Sequence, residues 1–385
     1  MQRTVFGEDH EVFRKTIRDF IAKEVVPVYP EWEKQGHPPR AFYNRLGELG
    51  VLGIQVPEEY GGGGTDDITY SLVIAEETAA AGVSFGSQSV HTNLILPYLL
   101  EYTSDEQKQR WLPGFCSGDI MFAIAMTEPG TGSDLANIAT TAKLSADGSH
   151  YVVTGAKTFI TGGALADRIL VVCRTTPFDP ENRRAGLSIL VVDTTAEGFA
   201  VGRKLEKIGL AASDTAELSF DGVKVPVEDL LGNEGDGFSY LTHNLAQERL
   251  AIAIGAAASS AAALQHALAY TKERTVFGRS VASFQNSKFV LAECSADVEA
   301  IVAMTDRAIE LHNRGELTVP DAARVKLFTT ETAGRVIDKC LQLHGGYGYI
   351  REYPIARLYA DTRVSRIYGG TNEVMKTIIA KDLQL

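Results

Sequence analysis

Cysteine, positive charge and long apolar runs are all scarce in this sequence, and each scarcity argues against a class of protein. The four cysteines, Cys116, Cys173, Cys294 and Cys340, lie far apart with no C-x-x-C pair, which argues against a disulfide framework and against a metal site. Lys and Arg number 37 against 49 Asp and Glu, and the net charge of −12 argues against nucleic-acid binding. An anionic ligand is not excluded, because a few arginines and helix N-termini can hold phosphates on an acidic protein.

No apolar run is long enough to predict a membrane span. The most apolar stretch, residues 250–265, is short for that purpose and consists largely of Ala and Ser. It predicts a buried helix whose small side chains let neighbouring helices approach closely. The first 15 residues lack the apolar core of a signal peptide, and no transit segment is evident. We therefore expect a cytoplasmic protein without membrane insertion.

The hydrophobic period changes from helical to alternating in the first two thirds of the chain. Apolar residues in 11–27 fall on one helical face, and Pro27 and Pro30 are expected to end that helix. A second amphipathic helix is predicted over 41–54. Short alternating or continuously apolar segments, separated by Gly, Asp and Asn clusters, then predict a middle antiparallel β-domain.

The last third returns to the helical period. Its three long segments, 250–274, 286–315 and 320–346, predict an antiparallel helical bundle. The whole is an α+β multidomain fold, too long for one core, and we expect an N-terminal helical domain (1–118), the β-domain (119–231) and a C-terminal helical domain (232–385). A doubly wound parallel sheet does not fit this order. The glycines of HGGYGYI therefore do not indicate a dinucleotide fingerprint, because they follow a helix rather than a strand.

The segment MTEPGTGSDL, residues 126–135, lies at the start of the predicted β-domain. Its hydroxyl side chains and its two glycines, which let backbone amides approach a ligand, suit a binding loop. Taken alone, the segment is equally well explained as a polar turn.

Together with four other segments this loop makes a specific pattern. The chain resembles the acyl-CoA dehydrogenase family, and its long-chain branch most closely, in MTEPGTGSDL, KTFITGG, ERTVFGRSVASFQ, QLHGGYGYIREYP and IYGGTNEVMK. The N-terminal residues 13–34 resemble that branch too. The resemblance implies the helical–β–helical fold with a C-terminal four-helix bundle, bound FAD, an acyl-CoA substrate and usually a homotetramer. It also implies an electron-transferring flavoprotein as the acceptor.

The same resemblance implies where FAD is held. Ile124, Met126 and Thr127 would line the flavin ring, and Phe159, where many members have Trp, would flank it with Thr161. The full set of implied FAD contacts is Ile124, Met126, Thr127, Gly132, Ser133, Phe159, Thr161, Arg274, Phe277, Gln285, Gln342, Leu343, His344, Gly345, Gly346, Thr371 and Glu373.

Several of these contacts carry an alternative or a further implication. Gln342–Gly346 usually completes the nucleotide site across a subunit interface, so FAD binding and oligomerisation would be coupled. Ser133 would also face the pantetheine arm of the substrate. Phe159 has the alternative of a β-domain core residue, and Arg274 that of a surface helix charge.

The loop that usually carries the catalytic base departs from the family pattern. Removing the weakly acidic α-proton needs a carboxylate in a dry pocket, with hydrogen bonds to the thioester oxygen. Most members place that Glu in Y-E-G-T, whereas this chain reads Tyr368-Gly369-Gly370-Thr371. Gly369 has no side chain that could take the proton. The resemblance implies that its backbone N–H still donates to the thioester oxygen, and that Gly369 and Gly370 contact the substrate.

A second carboxylate can supply the base. Glu248 lies in AQERLAIA, near the expected start of the Ala-rich helix, and Glu248-Arg249-Leu250 resembles the arrangement of the long-chain and isovaleryl branches, which keep the base there. Glu248 and Gly369 together therefore predict a relocated base, and Arg249 matches a substrate contact. The alternative for Glu248 is a helix-start carboxylate stabilised by the helix dipole or paired with Arg249.

These features predict α,β-dehydrogenation of a medium- or long-chain acyl-CoA, straight or branched. An acyl group on a carrier protein is a close alternative, since the handle of the thioester is not legible in the sequence. An acyl-CoA oxidase fits the length and order less well. Because Gly369 stands where most members have the catalytic Glu, a non-catalytic flavoprotein subunit is a further alternative.

Overall fold

Helices occupy both ends of the chain and strands its middle, as the changes of hydrophobic period predicted. The computed structural model describes residues 2–385. The apolar faces of the first helices meet in a core that includes Ile17, Phe20 and Phe42. The N-terminal helices are α1 (Glu8–Phe20), α2 (Tyr29–Gln35), α3 (Arg40–Glu48), α4 (Thr69–Ala81), α5 (Leu96–Glu101) and α6 (Asp105–Ser117).

Two predicted helix ends differ from the structure. The expectation that Pro30 stops the first helix is wrong, because Pro30 lies in the first turn of α2, where a missing N–H breaks no helical hydrogen bond. The second helix ends at Glu48, short of the predicted 54. Gly50, with φ +74°, adopts the left-handed conformation that commonly terminates a helix.

The middle of the chain forms an eight-stranded sheet. Its strands run in the spatial order β6-β7-β3-β2-β4-β5-β8, with β1 paired to β4. The predicted antiparallel sheet is confirmed, and the structure adds two parallel pairings, of β4 with β1 and with β2. The strands are β1 (Phe122–Ala125), β2 (Thr141–Leu144), β3 (His150–Thr161), β4 (Arg168–Arg174), β5 (Leu187–Asp193), β6 (Phe199–Lys204), β7 (Thr215–Pro226) and β8 (Leu230–Leu231).

Strands β4 and β5 are apolar at nearly every position because both of their faces are covered. Leu170 and Val172 pack into a core shared with helices α5 and α6, whereas Ile169 and Val171 pack into a second core shared with β3 and β7. A strand buried on both sides does not alternate.

The C-terminal third forms the predicted bundle. Its long helix α7 packs against α8, α9 and the N-terminal helix α4, and its buried alanines, such as Ala263 and Ala267, allow that close approach. A short hairpin of β9 and β10 separates α7 from α8. These elements are α7 (Gly237–Glu273), β9 (Thr275–Val276), β10 (Arg279–Ser280), α8 (Gln285–His312), α9 (Val319–Leu343), α10 (Pro354–Thr362) and α11 (Asn372–Asp382).

By length and composition alone, α7 could cross a membrane. Its most apolar window is 67% buried inside the protein, which is the pattern of a core helix. Long apolar helices of this kind occur in the interiors of bundles as well as in bilayers.

The proposed domain divisions remain a prediction. The first division follows Gly118, whose φ of +78° caps α6, and the second follows Leu231 at the end of β8.

Candidate active site

Glu248 lies in the interior of α7 rather than at a helix start. The helix begins at Gly237, three turns earlier, so the predicted helix start near Glu248 is wrong and the helix dipole does not explain this carboxylate. Within residues 2–385, the structure gives Glu248 no hydrogen bond and no ion pair, not even with Arg249. Neither structural alternative for Glu248 is therefore found.

The structure brings Gly369 and Glu248 together. A Cβ built on Gly369 would lie 3.4 Å from Glu248 Oε1 and would collide with Ile252 Cδ1, one helical turn further along α7. The space that a side chain would fill at position 369 is thus the space that Glu248 faces. This is the geometry that a relocated base requires.

The backbone N–H groups of the Gly369–Gly370 turn are free to donate hydrogen bonds. Gly369 and Gly370 have φ values of +63° and +84°, a conformation that residues with a Cβ rarely adopt. Among residues 2–385, neither of their N–H groups finds a protein acceptor. These donors are available to a ligand oxygen beside Glu248.

Two cations lie near Glu248. Removal from water raises the pKa of Glu248, and the positive charges of Arg249 and Lys326 partly oppose that rise. Arg249 is only 3% exposed, and its Nε and Nη1 have no partner among residues 2–385. Burial lowers the pKa of Arg249 while Glu248 raises it. A buried guanidinium with free donors suits a polar ligand group in this pocket.

The sequence reasoning missed Lys326. This side chain is fully buried on α9, and its Nζ donates to Gly370 O at 2.7 Å. Its pKa is lowered to about 8, chiefly by burial and by the nearby charge of Arg249. A buried lysine is rare enough to suggest a role, but the sequence around it reads as an ordinary amphipathic helix.

Met126 and Thr127 are held at the end of β1 by β3. Lys157, 1% exposed, donates from Nζ to Met126 O at 3.0 Å and to Glu128 Oε1 at 2.9 Å, and Thr158 N donates to Thr127 O. The N–H and hydroxyl of Thr127 find no partner within residues 2–385. These donors are therefore free to meet a cofactor.

Phe159 is not a core residue. Its side chain is 67% exposed and its φ is +60°, which is strained for an aromatic residue. The register of β3 against β7 shifts between Lys157 and Ile160, so the irregularity turns the ring out of the sheet. An exposed aromatic ring held in a strained backbone beside free polar donors fits a planar cofactor. The hydroxyl of Thr161, two residues further along β3, also lacks a protein partner.

A cavity of about 510 Å³ opens beside Ser133. Phe238, Leu241 and Leu245 of α7 line it, and Glu248 continues the same face of that helix one turn later. Arg183 and Arg184 form another part of the lining. Built Cβ atoms at Gly130 and Gly132 would meet nothing within 4 Å, so the loop that carries Ser133 also borders open space.

A second group of predicted residues gathers at the far end of α7. Arg274 lies over the Tyr347 ring at 5.6 Å, and His344 stacks on Tyr270 at 4.4 Å. Phe277 is 96% exposed at the tip of the β9–β10 hairpin, where its φ of +49° is paired with Gly278 in a tight turn. The predicted residues at this end are Arg274, Phe277, Gln285, Gln342, Leu343, His344, Gly345 and Gly346.

The two groups of predicted residues are far apart in one chain. Glu248 and Glu273 belong to one continuous helix, and the 25 residue steps from one to the other correspond to about 38 Å of helix. This is longer than an FAD molecule. Within one chain, Glu248 and the Arg274 end of α7 are therefore too far apart for one cofactor to touch both.

Thr371 and Glu373 lie at the start of α11, directly after the glycine turn. Thr371 Oγ1 accepts from Val374 N and so caps the helix. That bond gives Thr371 a structural role, and the predicted cofactor contacts of both residues stay predictions. Ile124, on β1, is half-buried against the core beneath Met126.

Family models of acyl-CoA dehydrogenases match nearly the whole chain. The N-terminal domain model matches residues 7–119, the middle domain model 123–223 and the C-terminal domain model 235–384. The long-chain specific mitochondrial enzyme of Sus scrofa is 41% identical, over 99% of this chain and 88% of its own length.

Solved structures match equally well. An acyl-CoA dehydrogenase from Geobacillus kaustophilus has a TM-score of 0.96 at 47% identity, over 100% of both chains. An acyl-CoA dehydrogenase from Bacillus anthracis, solved with FAD, has a TM-score of 0.90 at 31% identity, over 98% of this chain and 67% of that one.

Proposed function

The chain belongs to the acyl-CoA dehydrogenase family, and we propose that it desaturates a medium- or long-chain acyl-CoA with Glu248 as the base. Membership makes it an FAD-dependent oxidoreductase acting on acyl-CoA. The single observation that carries the assignment of the base is the approach of Glu248 to the empty position at Gly369, 3.4 Å from a built Cβ.

The chain's own residues divide the work of the reaction. Glu248, whose pKa is raised by its removal from water, takes the α-proton. The free N–H of Gly369 donates to the thioester oxygen and stabilises the negative charge that develops there. FAD, when bound, supplies a hydride acceptor for the β-carbon. Met126, Thr127 and Phe159 would hold its ring, as their free donors and exposed aromatic face allow.

The substrate would enter through the cavity beside Ser133. Arg183 and Arg184 line it and suit the phosphates of CoA, although Arg183 also pairs with Asp134. The similarity to a long-chain enzyme supports a medium or long acyl chain. A branched chain needs room beside Ile252, which approaches the open position at Gly369. An acyl-carrier protein stays an alternative donor of the same thioester.

We also propose a homotetramer in which neighbouring subunits complete each FAD site. The separation of about 38 Å along α7 supports this, because Arg274 and Gln342–Gly346 of one chain are too far from its own Glu248 to share a cofactor. An electron-transferring flavoprotein is the expected acceptor, and a cytoplasmic location remains the prediction. An oxidase would differ in passing electrons directly to O₂.

The test is anaerobic bleaching of the FAD-loaded protein by a panel of acyl-CoA and acyl-carrier-protein thioesters of increasing chain length. We expect long acyl-CoA substrates to bleach the flavin, and Glu248→Gln to bind FAD yet stay yellow. Glu316→Gln, an exposed carboxylate change outside the site, is the matched control and should bleach normally. Full bleaching of Glu248→Gln would contradict the assignment of the base, and bleaching by carrier-protein thioesters alone would replace the substrate.

A further inference from the structure

We propose that Lys326 is a positioning residue that holds the Gly369–Gly370 turn against Glu248 and, through its charge, favours the ionised form of that carboxylate. This inference rests on the proposed function, because it assumes that Glu248 is the base. Lys326 lies on α9, whereas Glu248 lies on α7, and Lys326 contacts the turn through the carbonyl oxygen of Gly370.

The geometry begins with one hydrogen bond. Lys326 Nζ donates to Gly370 O at 2.7 Å and lies 3.4 Å from Asn372 Oδ1, while its side chain has no exposure to solvent. Among residues 2–385, no other group donates to Gly370 O. Fixing that oxygen fixes the orientation of the peptide that follows two glycines, which otherwise have wide conformational freedom.

A second set of bonds holds Asn372, two residues after Gly370, and the Glu331 carboxylate takes part in it. Asn372 Nδ2 donates to Thr330 Oγ1 at 3.0 Å and to Glu331 Oε1 at 2.7 Å, both on α9 about one turn after Lys326. Helix α9 thus holds the turn in two places. Several groups hold Asn372, whereas Lys326 alone bonds the carbonyl oxygen of Gly370.

The charge of Lys326 is the second half of the inference. The groups that act on Lys326 are Arg249 and Glu248 on α7, Glu373 on α11 and Glu331 on its own helix. Its positive charge, with that of Arg249, opposes the rise in the pKa of Glu248 that burial causes. A base must be ionised before it can accept a proton, so a nearby cation enlarges the pH range over which Glu248 works.

A purely structural lysine would act differently. It would hold the turn, and its loss would lower stability and the reaction rate, but the pH at which the rate falls on the acid side would not move. The position of that acid limb therefore separates the two roles.

Three variants of the full-length, FAD-loaded protein test the inference. Lys326→Met removes both the charge and the donor, and Lys326→Gln removes the charge but keeps an N–H donor. Thr330→Val removes the hydroxyl that bonds Asn372 and the backbone carbonyl of Lys326, and it leaves the charge of Lys326 in place. The measurements are the rate of anaerobic flavin bleaching by lauroyl-CoA across pH, and amide hydrogen exchange of the segment 368–372.

We expect the acid limb to move upward by about one pH unit in both Lys326 variants, which is about a tenfold loss of rate on that limb. Exchange in 368–372 should rise in Lys326→Met and less in Lys326→Gln. Thr330→Val should lower the rate without moving the limb. If Lys326→Met does not load FAD, Lys326→Gln carries the test of the charge.

An unmoved limb in a loaded Lys326 variant overturns the electrostatic role, and unchanged exchange in Lys326→Met overturns the positioning role. These failures differ from failure of the proposed function. If Glu248→Gln still bleaches, the base assignment itself is wrong. If Glu248→Gln is inactive while the limb of Lys326→Gln stays in place, only the inference about Lys326 fails.

Discussion

Two carboxylates near the proposed site, Glu128 and Glu248, are built in opposite ways. Glu128 accepts bonds from Ala139 N, Thr140 N and the buried Lys157, and these partners hold its pKa below the usual value despite the opposing effect of burial. Glu248 has no hydrogen-bond partner in the described chain, and burial raises its pKa.

This difference separates a structural carboxylate from a reactive one. Both carboxylate oxygens of Glu128 accept hydrogen bonds, which join the loop after β1 to β3 and to the residues before β2. Glu248 keeps its lone pairs free in a half-buried position, which costs stability but leaves a base that a substrate can meet. The comparison predicts that a change at Glu248 lowers activity without lowering stability. A change at Glu128 should chiefly lower stability.

The largest effect is expected on turnover in Glu248→Gln. Loss of a general base typically costs about 10²–10⁴ in rate, and here the flavin should not bleach on the time scale of the native reaction. Stability should not fall, because the neutral amide is easier to bury than the carboxylate. Stopped-flow bleaching and urea unfolding of the same preparation measure both. A destabilised variant with normal bleaching would reverse the comparison.

The next largest effect is expected on stability in Glu128→Gln. Lys157 would keep a buried positive charge without its partner, and breaking a buried pair in this way costs about 3–5 kcal/mol. Flavin affinity should fall too, because Met126 and Thr127 are held through the same lysine. Denaturant unfolding measures the loss. Lys157→Met combined with Glu128→Gln is the control, and it should recover part of the stability because no unpaired charge remains.

A smaller effect on stability is expected from Gly369→Ala. The left-handed φ and the collision with Ile252 together should cost about 1–3 kcal/mol, and turnover should fall because the new Cβ occupies the space that Glu248 faces. Ile252→Val in the same chain should recover some turnover by relieving the collision, but it leaves the backbone strain. An Ala variant with unchanged bleaching would show that the substrate does not use this space.

Parts of this arrangement were predictable from the sequence. The changes of hydrophobic period predicted the helical–β–helical order, and the absence of a carboxylate at Gly369 drew attention to Glu248. Lys326 and Glu128 were not predicted, because their partners lie 44 and 29 residues away in the sequence and only packing brings them together. The early start of α7 was missed because residues 237–247 mix polar side chains with the apolar ones that face the cavity, so they do not continue the Ala-rich pattern of the rest of the helix.

The smallest effect is expected in the pH dependence of stability, where the two carboxylates act in opposite directions. The pKa of Glu128 is lowered by folding, so its contribution is present above the usual pKa of 4.5 and is lost as the pH falls through its folded value. The pKa of Glu248 is raised, so its contribution is fully present below 4.5 and is lost as the pH rises through its folded value. Urea unfolding from acid to neutral pH should therefore show that Glu248→Gln gains on the native protein as the pH rises, whereas Glu128→Gln falls further behind it. If both differences change in the same direction, the two carboxylates share one environment, and Glu248 loses the property that distinguishes it as the base.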